Sequence, residues 1–300
     1  MRGWNAPASG PNAALSGGLA TLRNRCRDAT RNDAHASAIV DRLVSSIIGT
    51  GIVPRPQTDD PALRSELQTA WTAWIRVADA DGVLDFYGLQ SLVMRSMLES
   101  GEVFIRLCER TNRPDLPAGL QLQVLESDLL PIGYNMELPD GARIVDGIEL
   151  SKYGERLAYW LHRSHPGEAQ STINAEKLLR IPADQVLHVF EPTRPGQLRG
   201  APLLAPVLAR LRNLSDFDDA VLERQKLANL FTLFITRPLP TGLDDAIDPL
   251  TGKTVEFDGL SGAPLAMLEP GISQELLPGE DVKFSAPPGA GADYGVFMKH

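Results

Sequence analysis

Acidic pairs are the first residues in this chain that invite chemistry: Asp79 with Asp81, Asp59 with Asp60, and Asp244 with Asp245. Such carboxylates serve two-metal hydrolysis when further acids join them in one pocket. Each pair here has a loop or helix-edge setting, where short acids usually bind backbone N–H groups in solvent. His162 and His165 offer two imidazoles, but without the i, i+4 spacing and the glutamate of a helical zinc motif. Gly252-Lys253-Thr254 looks like the end of a phosphate loop, yet Ile247 stands where that loop needs its first glycine, so the segment reads as an exposed turn. The chain has no Gly-x-Ser-x-Gly elbow, no Cys–His signature and no dinucleotide glycine pattern. The residues therefore predict no catalytic centre, no metal and no cofactor.

Charged surfaces are the stronger signal. Arg23, Arg25, Arg27 and Arg31 form a basic cluster that suits either phosphate or the acids of a neighbouring subunit. Arg194 and Arg199 flank the turn Pro195-Gly196, which is expected to carry both on one side of a bend. Asp216, Asp218, Asp219 and Glu223 give a later helix an acidic face, the natural subunit-contact complement of the basic cluster. His188 alternates against Leu187 and Val189 and reads as a satisfied structural histidine. Cys26 and Cys108 lie among apolar or helix-patterned residues and read as buried thiols in a reducing compartment.

Periodicity supplies the elements that hold these groups. Residues 1–18 are rich in small and polar types and are expected to be a flexible segment. Leu19, Leu22 and Cys26 recur at helical spacing, with the arginines on the other faces. Asn32 and Asp33 cap a second helix, which Gly49 and Gly51 end. Pro61 opens a third and Asp85 caps a fourth, closing at Gly101. Short β-type runs follow at 103–107, 120–125, 144–150, 157–162 and 186–190, separated by turns. The strict alternation of Leu120-Gln121-Leu122-Gln123-Val124 predicts one packed face and one wet face. A long helix is expected from about Leu203 to Asn229, then a strand at 230–236. The domain reading is thus a core over 19–236, helical at 19–101, β-rich at 102–190 and loop-plus-helix at 191–236, followed by an irregular stretch at 237–300. The predicted class is α+β, with a mixed or antiparallel sheet region.

Composition sets outer limits. An apolar content of 43% supports a substantial core, and a net charge of −9 argues against a protein that grips nucleic acid through many phosphates. Any nucleic acid it handles would be held only weakly. No run approaches the roughly 18 apolar residues of a membrane span, and the start lacks a signal-peptide core, so a soluble, non-exported chain is expected.

Several ordered stretches resemble the lambda-type portal proteins of tailed phages. They include Arg27-Asp28 with Arg31-Asn32, Ile48-Gly49-Thr50-Gly51-Ile52, Asp85-Phe86-Tyr87-Gly88-Leu89-Gln90, Ser100-Gly101-Glu102-Val103-Phe104-Ile105-Arg106 and Leu122-Gln123-Val124-Leu125-Glu126-Ser127-Asp128. The most specific block runs from Ile181 to Phe190, through Arg194-Pro195-Gly196-Gln197-Leu198-Arg199-Gly200 and into Pro202-Leu203-Leu204-Ala205-Pro206-Val207. Leu277-Pro278-Gly279-Glu280-Asp281-Val282 is similar to a later turn of the family. The resemblance implies the α+β portal core, a dodecameric ring around a DNA channel, and a head-tail connector role in packaging and ejection. It also implies terminase, head-completion, capsid and scaffold proteins as partners, and a place in the virion after assembly in the bacterial cytoplasm. Family chains extend further, so a core lacking the C-terminal part is expected. Two rival readings are a metal-dependent nuclease or hydrolase built on Asp79 and Asp81, and a prophage remnant or fragment that assembles nothing.

Overall fold

The computed structural model describes residues 8–168, 178–230, 234–236 and 281–283. Two compact units divide the chain, Met1–Arg212 and Asn213–His300. The first is built from helices followed by antiparallel sheets, as the α+β expectation has it.

Three of its helices begin where short acids stand. α1 (Pro11–Ser16) precedes α2 (Leu19–Asn32), and Asp33 accepts the Ala36 N–H at 2.8 Å to start α3 (Ala34–Ile48). Asp60, with Pro61 behind it, starts α4 (Pro61–Ile75), and Asp85 starts α5 (Phe86–Ser100) by accepting the Gly88 N–H at 2.7 Å. Gly101, at φ +85°, closes α5 in the left-handed conformation and turns the chain directly into β1 (Glu102–Glu109). Residues 8–18 are structured, against the expectation of a flexible start: Asn12 donates to Gly196 O at 3.0 Å and accepts the Leu198 N–H at 2.8 Å. An amide that both donates and accepts substitutes for a backbone pair.

β1 is the centre of a sheet with β2 (Leu120–Leu125) on one side and β8 (Val186–Phe190) on the other. A second antiparallel sheet takes β3 (Met136–Glu137), β4 (Arg143–Val145), β5 (Ile148–Leu150), β6 (Arg156–Leu161) and β7 (Leu179–Pro182) in chain order. Phe104, Leu130, Ile148, Leu150, Tyr159, Leu161, Ile181 and Val186 form the core between them. Cys26, Val40, Leu98 and Leu204 form a second core among the helices.

Three expectations change. The run 144–150 is two strands, because Asp146 and Gly147, both at positive φ (48° and 82°), fold it into a hairpin. β2 is half-buried along its whole length, without a dry and a wet face. The segment 78–80 runs beside it, Leu122 bonding to Ala78 and Ala80, while Gln121 donates to the Val77 and Asp79 carbonyls. Finally α6 (Leu208–Leu230) starts five residues later than expected, after the turns that carry Pro202 and Pro206, and the boundary between the two units falls within it. In the second unit β9 (Phe234–Thr236) pairs antiparallel with β10 (Asp281–Lys283).

Candidate functional site

The distinctive polar site of the first unit is one buried carboxylate. Glu102 opens β1, on the same face of the strand as Phe104, and is 0% exposed. β1 pairs with β8 so that Phe104 faces His188, which sets His188 diagonally from Glu102 on that face. His188 Nε2 lies 3.0 Å from Glu102 Oε2. Its Nδ1 lies 3.3 Å from Arg156 Nη1, so the consistent tautomer donates from Nε2 and accepts at Nδ1. Arg199 reaches Glu102 Oε1 from Nε at 2.8 Å, and the Gly200 N–H donates to Oε2 at 2.7 Å. Arg23 of α2 completes the set through an ion pair between its Nη2 and Oε1.

The two guanidiniums spend their remaining donors on carbonyls. Arg23 bonds Ser100 O at 3.2 Å and Ser127 O at 3.4 Å. Arg199 bonds Asp146 O at 2.9 Å, Leu130 O at 3.2 Å and Ser127 O at 3.4 Å. One carboxylate therefore ties together α2, the end of α5, β1, the 127–130 turn, the β4–β5 hairpin, β8 and the loop ahead of α6. Beside it Arg27 bonds Ser100 Oγ at 3.0 Å and Asp128 Oδ2 at 2.6 Å.

Charge balance explains the protonation states. Burial opposes ionisation of Glu102, but Arg199, His188 and Arg23 overcome it and hold the carboxyl well below the usual carboxylate range. Burial pulls Arg23 down to about 10 in spite of Glu102, which leaves it charged at neutral pH. Burial also lowers His188 below an ordinary imidazole, the attraction of Glu102 being outweighed. The sign of the pH dependence follows. Between the ordinary value of 6.5 and the lower folded value, the unfolded His188 binds more protons than the folded one, so stability falls as pH drops through that window. Below 4.5 the unfolded Glu102 takes a proton that the folded one refuses, and the loss continues toward the depressed folded value. Urea midpoints should therefore decrease from pH 7.5 to 5.5 and again toward pH 4, with the first step flattened in His188→Gln. A midpoint that rises on acidification would contradict this balance.

The sequence-derived candidates separate into inward and outward groups. Arg23 and Arg199 are corrected: at 0% and 2% exposure they face neither DNA nor a neighbouring subunit. Arg23 lies on the inward stripe of α2 with Leu19, Cys26 and Thr30. Arg194 and Arg199 are not on one side of the bend. Arg194 points out and bonds Ser9 O at 3.3 Å, whereas buried Gln197 organises the turn and Arg199 points in. Arg27 is half-buried on Asp128 and Glu126, while Arg25 and Arg31 are exposed. On α6, Asp216, Asp219 and Glu223 are exposed and Asp218 is half-buried.

Of the two carboxylates in the nuclease reading, Asp81 accepts the Gln123 amide at 3.1 Å and Asp79 is committed to backbone. Asp79 accepts the N–H groups of Asp81, Val83 and Leu84 at 2.9–3.0 Å, which organises the 79–84 loop. Glu126, Asp128 and His165 do converge. Arg27 already occupies both acids there, and His165 Nδ1 accepts the Gly167 N–H, which leaves Nε2 as the protonated nitrogen toward Glu126. That arrangement suits an ion-pair chain better than a cation. Gly252-Lys253-Thr254 and Asp244/Asp245 lie outside the described residues.

Residues 1–300 match the description "phage portal protein, lambda family". The chain belongs to that family. A probable portal protein of Halomonas phage phiHAP-1 is 32% identical over 60% of this chain and 36% of its own length. The portal protein of Escherichia phage N15 is 22% identical, and portal protein B of Escherichia phage lambda 21%, each over 99% of this chain and 60% of its own length. The chain thus spans at most about three fifths of these relatives. Among solved structures, the neck of a native gene transfer agent particle, computed with C12 symmetry, aligns at 14% identity and a TM-score of 0.46 over 99% of this chain and 67% of that one. The neck of the empty particle, computed with C6 symmetry, aligns at 15% and 0.45 over the same shares.

The family match covers the whole chain, the residues that build the site included. Glu102, His188 and Arg199 all lie in blocks whose likeness to portal proteins was visible in the sequence. Glu102 itself was missed as a site residue. The available signal was a charged residue in phase with the buried Phe104 on a strand, which requires a partner.

Proposed function

We propose that the chain is a structural portal subunit, one segment of a ring through which phage DNA is packaged and ejected. The observation that carries this reading is the family match along the full 300 residues. The described site supports it: Glu102, Arg23, Arg199 and His188 are sealed at 0–2% exposure and act by holding elements together, since no substrate can touch them. The surroundings proposed are the virion's portal vertex after assembly in the host cytoplasm, with terminase, head-completion, capsid and scaffold proteins as partners. Double-stranded DNA passes without sequence readout, and a net charge of −9 supports a channel to which phosphates adhere weakly.

A closed ring uses two different complementary surfaces on each copy. The exposed basic residues Arg25 and Arg31 support one such surface, and the acidic face of Asp216, Asp219 and Glu223 the other. Arg194 is retained as a further candidate for DNA or a neighbour. Negative-stain imaging with mass measurement tests the class, with rings around a central hole as the expected result and monomers at all concentrations as the overturning one. Charge reversal at Arg25 and Arg31 should raise the concentration needed for rings about tenfold, the effect of roughly 1.4 kcal/mol. Unchanged assembly of that variant would remove the charge-paired interface.

A further inference from the structure

Residues 8–18 lie against the 194–200 loop, the same loop that brings Arg199 and the Gly200 N–H to Glu102. Arg194 bonds Ser9 O at 3.3 Å, and Asn12 donates to Gly196 O at 3.0 Å and accepts the Leu198 N–H at 2.8 Å. Ser16 Oγ reaches Asp146 Oδ1 at 3.5 Å, and Asp146 offers its carbonyl to Arg199. The segment thus holds the loop just ahead of the two residues that Glu102 holds. Its own grip is slight. α1 has six residues, none of them buried, and no side chain caps its start. An isolated helix shorter than roughly 12–15 residues is marginal in water. The bonds to Ser9 O and Gly196 O are exposed, where water competes for them.

The joint between α1 and α2 is Gly17-Gly18. Neither glycine is required by the conformation it adopts: φ is −68° and −127°, and a Cβ at either position would meet nothing within 4 Å. Alanine fits both places and would lose less backbone freedom on folding. We propose that residues 8–18 form a strap hinged at Gly17-Gly18 that opens and closes over the 194–200 loop, and that closure sets how firmly the loop keeps Arg199 and Gly200 on Glu102. The structure shows the closed form, in which the freedom of the glycine pair is unused. Opening gives the Leu198 N–H and the Gly196 carbonyl to water and dissolves α1, while both apolar cores persist, since α1 contributes no buried residue to either.

Amide hydrogen exchange of the full chain, read by peptide mass, tests the strap. In the unmodified chain the 194–200 peptide should exchange faster than β1, because the strap opens without global unfolding. Asn12→Ala removes both amide bonds to the loop and should speed exchange at 194–200 by at least about fivefold, with β1 and the thermal melt unchanged. Gly17→Ala combined with Gly18→Ala should slow it about two- to fivefold, the effect of removing glycine freedom from a conformation that alanine can adopt. One common rate for 194–200 and β1 in the unmodified chain would overturn the proposal, since the loop would then open only with the whole unit. Exchange of Asn12→Ala at the parental rate would overturn it as well, because the loop would be held without the strap. A double-alanine variant exchanging as fast as the parent would show that the glycines are no hinge and remove the strap with them.

Discussion

Glu102→Gln should destabilise the first unit by about 3–5 kcal/mol, the range for removing one member of a buried ion pair and stranding the other. The residue accepts from four donors at once: Arg23, Arg199, His188 and the Gly200 N–H. A glutamine amide would turn its own N–H groups toward some of them. It would also leave two guanidiniums, 0% and 2% exposed, without a counter-charge. Arg23→Met should lose less, since Glu102 keeps Arg199, and Arg199→Met should lie between because four carbonyl or carboxylate acceptors lose a donor. Combining Glu102→Gln with Arg23→Met should recover part of the loss, a coupling of about 1–3 kcal/mol between contacting residues. Urea midpoints at pH 7.5 with an unchanged m-value measure all four. A Glu102→Gln midpoint within about 1 kcal/mol of the parent would mean that the cluster is incidental to stability.

The local signals of this fold were legible because they are short-range. Asp33 and Asp85 cap the helices that they were expected to cap, Pro61 opens α4 as expected, and Gly49 and Gly101 stand at helix ends at positive φ. The Asp146-Gly147 hairpin was equally local, yet the apolar run around it reads as one strand when the turn pair is passed over. What sequence periodicity could not show was which neighbour covers a face. The alternation of β2 is real, but the 78–80 segment shelters the glutamine side, so the expected wet face does not exist. The arginines illustrate the same limit. Arg23 sits four residues after Leu19 and three before Cys26, the spacing of a buried stripe, but its charge argues for solvent until a partner is known. That partner is 79 residues away. Long-range charge pairing, unlike capping, leaves no mark in a local window.

Gly200→Ala should be severely damaging for so small a substitution, costing on the order of 3 kcal/mol or more, at the upper end of overpacking a tightly built site. A Cβ at position 200 would lie 2.0 Å from the Gly101 carbonyl oxygen and 2.6 Å from its carbonyl carbon. Both are backbone atoms, so no rotamer change relieves the overlap. The converse holds at Gly101, where a Cβ would meet the Ala201 carbonyl carbon at 2.2 Å and where φ is +85°. Two glycines thus face each other across the junction where α5 turns into β1 and the 194–200 loop passes by. Separation of those backbones would pull the Gly200 N–H from Glu102 Oε2, now at 2.7 Å, and move Arg199 with it. The close approach and the ion cluster are therefore coupled, which distinguishes this prediction from a generic steric penalty. Gly200→Ala combined with Glu102→Gln should lose less than the sum of the two single effects, and Gly196→Ala in the same loop should lose less than Gly200→Ala. Gly196 also has positive φ, at +76°, but open space where its Cβ would be. Its loss is then the left-handed backbone penalty alone, roughly 1–2 kcal/mol. Equal melting shifts for Gly196→Ala and Gly200→Ala would show that backbone conformation, and not the contact with Gly101, governs the junction.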